Sequence, residues 1–211
     1  MDKVAKCFED AWRYTVSRYD DYPLDESPYW YEEDILIPLG SFLEKRLREE
    51  HLFDRLRIHA GVKMNTNEWE DCKILQEKGK RYLETLKKWC KKEGRKEPKY
   101  SPRIDILVLD EDEVAKRHHS FDLAAELKLS SLDKTISRVH FCEDIWPSIR
   151  YDIFRLRMLR ELEICRNAFF CYLDEHHAKE ANAENRIKDE IADSGVKLCY
   201  TSHTLMPTNP H

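Results

Sequence analysis

Apolar residues change their spacing several times along this chain, and each change marks an element. From Val4 to Tyr19, the residues Phe8, Ala11, Trp12, Thr15 and Val16 recur at three- and four-residue intervals, the period of a helix with one buried face. A stretch rich in Asp, Pro and Tyr follows, Asp20 to Pro28, and reads as a loop. The helical spacing returns between Ile35 and Phe53, with Leu39, Phe42, Leu43, Leu47 and Phe53 inward. Then Leu56, Ile58, Ala60, Val62 and Met64 alternate with Arg57, His59 and Lys63, which predicts a half-buried strand. Asn67 with Glu70 three residues later resembles a capping box opening a long helix to about Glu93, whose apolar positions are Cys72, Leu75, Tyr82, Leu86 and Trp89.

Two strands come next, Pro102 to Leu109 and Asp122 to Leu129, and both carry charge on an apolar pattern. In the second, Leu123, Ala125, Leu127 and Leu129 share one face, while Ala124, Glu126, Lys128 and Ser130 share the other. Glu126 and Lys128 therefore stand side by side, about 7 Å apart along the strand. If the Asp105 strand pairs beside them, three charged groups meet at one place on a sheet. The remaining pattern predicts a helix from Asp144 to Glu163 with Ile145, Ile149, Ile153, Leu156 and Leu159 inward, and then a strand from Ala168 to Leu173. A helix from Ala178 to Ala192, with Gly195 as its C-terminal cap, leads to a last strand, Val196 to Tyr200. The tail 204–211 reads as flexible.

This order implies an α/β domain with a central mixed sheet flanked by helices. At 211 residues the chain suits a single domain, 1–211, with its core over about 35–200, an N-terminal helix over 4–19 and a helical insertion over about 67–95. No apolar run is long enough to span a membrane, and the N-terminus lacks the apolar centre of a signal peptide. Seven cysteines, none in a Cys-x-x-Cys pair, read as reduced thiols, so the expectation is a cytoplasmic protein with no membrane partner. The net charge of -5 hides a strong asymmetry. Asp20 to Asp34 holds seven acidic residues and no basic one, whereas Glu77 to Lys99 holds ten Lys or Arg against four Glu.

Asp105, followed on the next strand by Glu126-Leu127-Lys128, resembles the bipartite signature of the PD-(D/E)XK nuclease superfamily, the restriction-endonuclease-like fold. Isoleucine, not proline, precedes Asp105, and the nearest proline is Pro102. With the 67–95 helix set aside as an insertion, the central elements run αβββαβ, the common core of that superfamily. The resemblance implies a Mg²⁺-dependent phosphodiesterase, with Mn²⁺ as a substitute, acting on nucleic acid, DNA before RNA, as an endonuclease. It assigns Asp105 and Glu126 as metal carboxylates, the Leu127 carbonyl as a further ligand, and Lys128 to the attacking water and the phosphate. Glu44, with Glu50 second, is the candidate for an additional acid from the first core helix. Asp152-Ile-Phe-Arg155-Leu resembles a pattern seen after the motif in relatives, in which Arg155 contacts a substrate phosphate and Asp152 orients a neighbour. Lys87, Lys88, Lys91 and Lys92 would make a nucleic-acid track on the inserted helix. The resemblance also allows a homodimer.

Other readings stand beside these. Asp105 and Lys128 can form a simple cross-strand ion pair, although such pairs contribute only about 0.2–1 kcal/mol. A catalytically silent nucleic-acid-binding or protein-interaction module on the same fold is the alternative function. The lysine-rich helix reads as a solvated face before a nucleic-acid track, and Arg150, Arg157 and Arg160 read as surface arginines. Tyr29-Trp30-Tyr31 is either core or a surface for stacking bases. The pairs His118-His119 and His176-His177 lack partners at zinc spacing, and no Gly-rich phosphate loop or nucleophile motif is present.

Overall fold

In the computed structural model of the chain, the described residues are 2–18, 32–63, 73–98, 103–110, 121–130, 146–174 and 183–202. Among them are five helices: α1 (Lys3–Ser17), α2 (Glu32–Glu49), α3 (Lys73–Lys92), α4 (Trp146–Glu161) and α5 (Ala183–Ile191). The five strands are β1 (Leu56–Lys63), β2 (Arg103–Asp110), β3 (Phe121–Ser130), β4 (Cys165–Asp174) and β5 (Val196–Ser202). Their order is the one the hydrophobic pattern predicts. The Asn67–Glu70 box, the Tyr29-Trp30-Tyr31 cluster, both histidine pairs and the 204–211 tail lie outside the described residues.

The strands form one mixed sheet in the order β1-β2-β3-β4-β5. β1, β2 and β3 pair antiparallel, whereas β3, β4 and β5 run parallel. The change of direction follows from the connections. Parallel neighbours need a long crossover, and α4 and α5 provide one each.

Alternation along β3 assigns its faces as expected. Leu123, Ala125 and Leu127 join a core with α1 and α2, built around Phe8, Trp12, Leu39, Leu43, Leu47 and Phe169. Ala124 joins the opposite core, with Tyr82, Leu86, Ile153, Leu156, Phe170 and Tyr172. Burying each such aliphatic or aromatic side chain contributes about 1.5–3 kcal/mol, so each helix layer is held mainly by its apolar stripe.

The N-terminal helix, which the pattern places outside the αβββαβ core, is part of the first of these cores. It begins one residue earlier than expected because Asp2 caps it, its Oδ1 accepting the N–H of Val4 at 2.9 Å and of Ala5 at 3.4 Å. The other Asp2 oxygen accepts from Asn167 Nδ2 at 2.8 Å, which pins the start of α1 to β4. The inserted helix α3 likewise belongs to the body of the protein. It buries Tyr82, Leu86 and Cys90, and Trp89 stacks on Phe154 of α4 at 4.8 Å. Arg150 ties three helices together through Glu93 at 2.9 Å and Glu190 at 3.3 Å, a structural role in place of the expected surface arginine. Five of the seven cysteines are described, all free and buried, and burial pushes the Cys165 thiol up to about 12. Among the described residues no helix is long and apolar enough to cross a membrane.

Candidate active site

The ladder between β2 and β3 holds Val108↔Leu123, Leu107↔Ala124 and Ile106↔Ala125, and goes no further. One residue on, a side chain takes over from the backbone. Asp105 Oδ2 accepts the Leu127 N–H at 2.8 Å. Meanwhile β2 keeps its partner on the other side as far as Lys63↔Arg103. The strand therefore stays in the sheet while releasing β3, and the charged residues gather where the two part.

Glu126 and Lys128 lie on the α3–α4 face of β3 by the strand's alternation. Glu126 is 2% exposed, which makes its partners decisive. Its Oε1 is 2.8 Å from Arg155 Nη2 in an ion pair, and the Asp105 carboxyl stands near enough to disfavour its charge. Arg155, 5% exposed, reaches Asp152 Oδ1 through Nη1 at 2.9 Å and donates to the backbone carbonyl of Arg103. The second Asp152 oxygen is 3.2 Å from Lys128 Nζ. The Tyr82 hydroxyl sits beside the same guanidinium. One connected network thus runs from α3 through α4 to β3 and β2.

Its charges are set by position. Burial pushes the Glu126 carboxyl well above the usual carboxylate range; Arg155 pulls it down, and Asp152 and Asp105 push it up again. Burial also raises Asp105, against the pull of the Leu127 N–H and Lys128. Burial disfavours the Arg155 charge, yet Glu126, Tyr82 and Asp152 outweigh it and hold the guanidinium above its ordinary value.

The structure brings Asp105, Glu126 and Lys128 together, with the Leu127 backbone in the same place. Two expected members fall elsewhere. Glu44 lies on α2, whose buried residues Leu39, Leu43 and Leu47 belong to the opposite core, and its carboxylate pairs with Arg48 at 2.7 Å. Arg155, expected at a substrate phosphate, is instead buried between two carboxylates, because α4 turns it toward the sheet. On α3, Lys88, Lys91 and Lys92 are exposed and Lys87 is half-buried. Asp152 is the member of the cluster whose contacts the sequence leaves unassigned, although a signal exists. It follows Ile149 by three residues and precedes Ile153, so a charge stands on the inward stripe of a helix. Tyr82 fits its predicted core position, but nothing in the pattern announces its contact with Arg155.

Two carboxyls gathered at one place have the chemistry to hold a divalent cation. Hard oxygen donors suit Mg²⁺, which is commonly held by one or two carboxylates plus waters and substrate oxygens. Asp105 and Glu126 meet that requirement, and Glu44 adds nothing to it. Among the described residues no group of three or more His, Cys, Asp and Glu forms a ready-made metal cage. In comparison with known proteins, the chain matches no family model, no curated protein and no solved structure.

Proposed function

We propose that this protein is a Mg²⁺-dependent nuclease that hydrolyses phosphodiester bonds in nucleic acid, DNA before RNA, on a restriction-endonuclease-like core. The observation that carries the reading is the meeting of Asp105, Glu126 and Lys128 where β2 and β3 separate. With α3 set aside between β1 and β2, a helix, three antiparallel strands, a helix and a parallel strand follow in order and support the same reading.

Asp105 and Glu126 would hold the cation. Bound there, it supplies Lewis-acid polarisation of a phosphoryl oxygen and a more acidic water. Lys128, its side chain 16% exposed and therefore reachable, positions that water and stabilises charge developing on the phosphate. The Leu127 N–H fixes the rotamer of Asp105, so this carboxylate is oriented before any substrate arrives. The exposed lysines of α3 supply positive charge for a phosphate backbone.

A second reading is favoured by the ion pairs themselves. Arg155 and Asp152 pair with Glu126 and Lys128 from within the chain, as they would in a silent interaction module of the same fold. Plasmid nicking with Mg²⁺ or Mn²⁺ separates the two. Cleavage that disappears in Asp105→Ala and Lys128→Ala supports the nuclease. Cleavage surviving both would remove the site assignment, and none with any DNA or RNA would favour the module.

A further inference from the structure

Arg155 contacts both strands where they part. Its Nη2 lies 2.8 Å from Glu126 on β3 and donates to the Arg103 carbonyl on β2, while Nη1 holds Asp152 at 2.9 Å. Asp152 then reaches Lys128 at 3.2 Å. Asp152 and Arg155 are three residues apart on one helix, so they are neighbours on its surface. A rigid fork of donors suits Arg155 to grip two carboxylates at once, which an ammonium could not do in the same geometry.

We propose that Asp152 and Arg155 act together as a positioning unit for the site: Arg155 orients the Glu126 carboxyl toward the cation position, and Asp152 aims Lys128. This rests on the nuclease reading and extends it to two residues that touch neither metal nor substrate. The unit explains why both side chains are buried on a helix face otherwise filled by Ile149, Ile153 and Leu156. A pair placed for stability alone gains little over apolar residues of the same volume. Here each member instead has one end on a residue of the Glu126-Leu127-Lys128 motif. The two ends also differ in consequence: Arg155 serves the metal carboxylate, and Asp152 serves the lysine.

The test uses the full chain with Mn²⁺ as probe, read by calorimetry and by the electron paramagnetic resonance of free ion, beside plasmid nicking and circular dichroism. Arg155→Lys keeps the charge and loses the fork, and is expected to weaken Mn²⁺ binding about 10- to 100-fold in the folded protein, as loss of a partner behind a metal ligand does. Asp152→Asn is expected to keep Mn²⁺ affinity within about twofold and KM nearly unchanged while kcat falls about tenfold or more. Wild-type Mn²⁺ affinity in folded Arg155→Lys overturns the proposal. If Arg155→Lys does not fold, Asp152→Asn decides alone, and wild-type kcat in that variant overturns it. Wild-type protein that binds Mn²⁺ without cleaving nucleic acid removes the nuclease reading and leaves Arg155 to be judged by affinity. Wild-type protein that binds no Mn²⁺ removes both.

Discussion

Against α1 and α2, β3 presents Leu123, Ala125 and Leu127; against α3 and α4 it presents Ala124, Glu126 and Lys128. The same strand meets two cores built on different terms. On the first face contacts are apolar and interchangeable in kind, and a polar group such as Thr15 is satisfied inside its own helix, Oγ1 donating to the Ala11 carbonyl at 2.8 Å. On the second face a buried carboxyl, a buried guanidinium and a buried aspartate depend on one another across three elements. A hydrophobic core loses stability in proportion to what is removed. A charged one loses it by leaving a partner stranded in a poor dielectric.

The largest expected break is Arg155→Met, which strands Glu126 and Asp152 and should cost about 3–5 kcal/mol of stability in urea unfolding. Adding Glu126→Gln to it should recover part of that loss, whereas two truncations on the apolar face, such as Leu43→Ala with Phe8→Ala, should only add to each other's cost. A single Leu43→Ala is expected at about 2–5 kcal/mol. Full rescue of Arg155→Met by nothing more than salt would contradict the buried pairing.

Next in size, Asp105→Ala and Lys128→Ala should each lower the nicking rate by about 10²–10³-fold. Leu43→Ala should leave the rate per folded molecule within about twofold. Equal losses on both faces would mean that the chemistry does not sit on the α3–α4 side.

A smaller effect concerns pH. The folded Glu126 carboxyl sits well above 4.5, so the folded state holds a proton that the unfolded chain releases on ionising. The stability linked to this proton is fully present below about pH 4.5 and is lost as pH rises toward the folded value. Glu126→Gln should therefore lose less stability than wild type between about pH 4.5 and neutrality, in unfolding curves measured across that range. Leu43→Ala should shift the curve without changing its slope with pH. The smallest change belongs to the surface: Glu161→Gln, which removes the exposed pair with Arg157, should alter stability by less than about 1 kcal/mol.

How far the two faces are legible in the sequence follows from their physics. Alternation identifies β3 and both its faces, because one slip in register would send Leu123, Ala125 and Leu127 into the charged side. The spacing of Leu39, Leu43 and Leu47 places α2 on the apolar core for the same reason. The charged face is legible only in part. Asp105, Glu126 and Lys128 stand out as charge on apolar strands, but their partners are fixed by how α4 rotates onto the sheet, which no periodicity specifies. Arg155 thus reads as a contact for a substrate phosphate and is instead buried against Glu126 and Asp152. Glu44 reads as a third acid and instead pairs along its own helix, since phase alone does not say which side of a sheet a helix occupies. Strand direction in the second half is implied by the lengths of the helical crossovers, whereas the separation of β2 from β3 at Asp105 leaves no trace in the pattern.

Asn167 donates to Asp2 at 2.8 Å and to the Asp122 carbonyl at 3.0 Å, joining residues separated by 165 and 45 positions. On a ribosome, α1 emerges well before its partners Asn167 and Phe169 of β4. The Phe8–Trp12 stripe can pack early on α2, the next helix, but it waits for β4 before its core is closed.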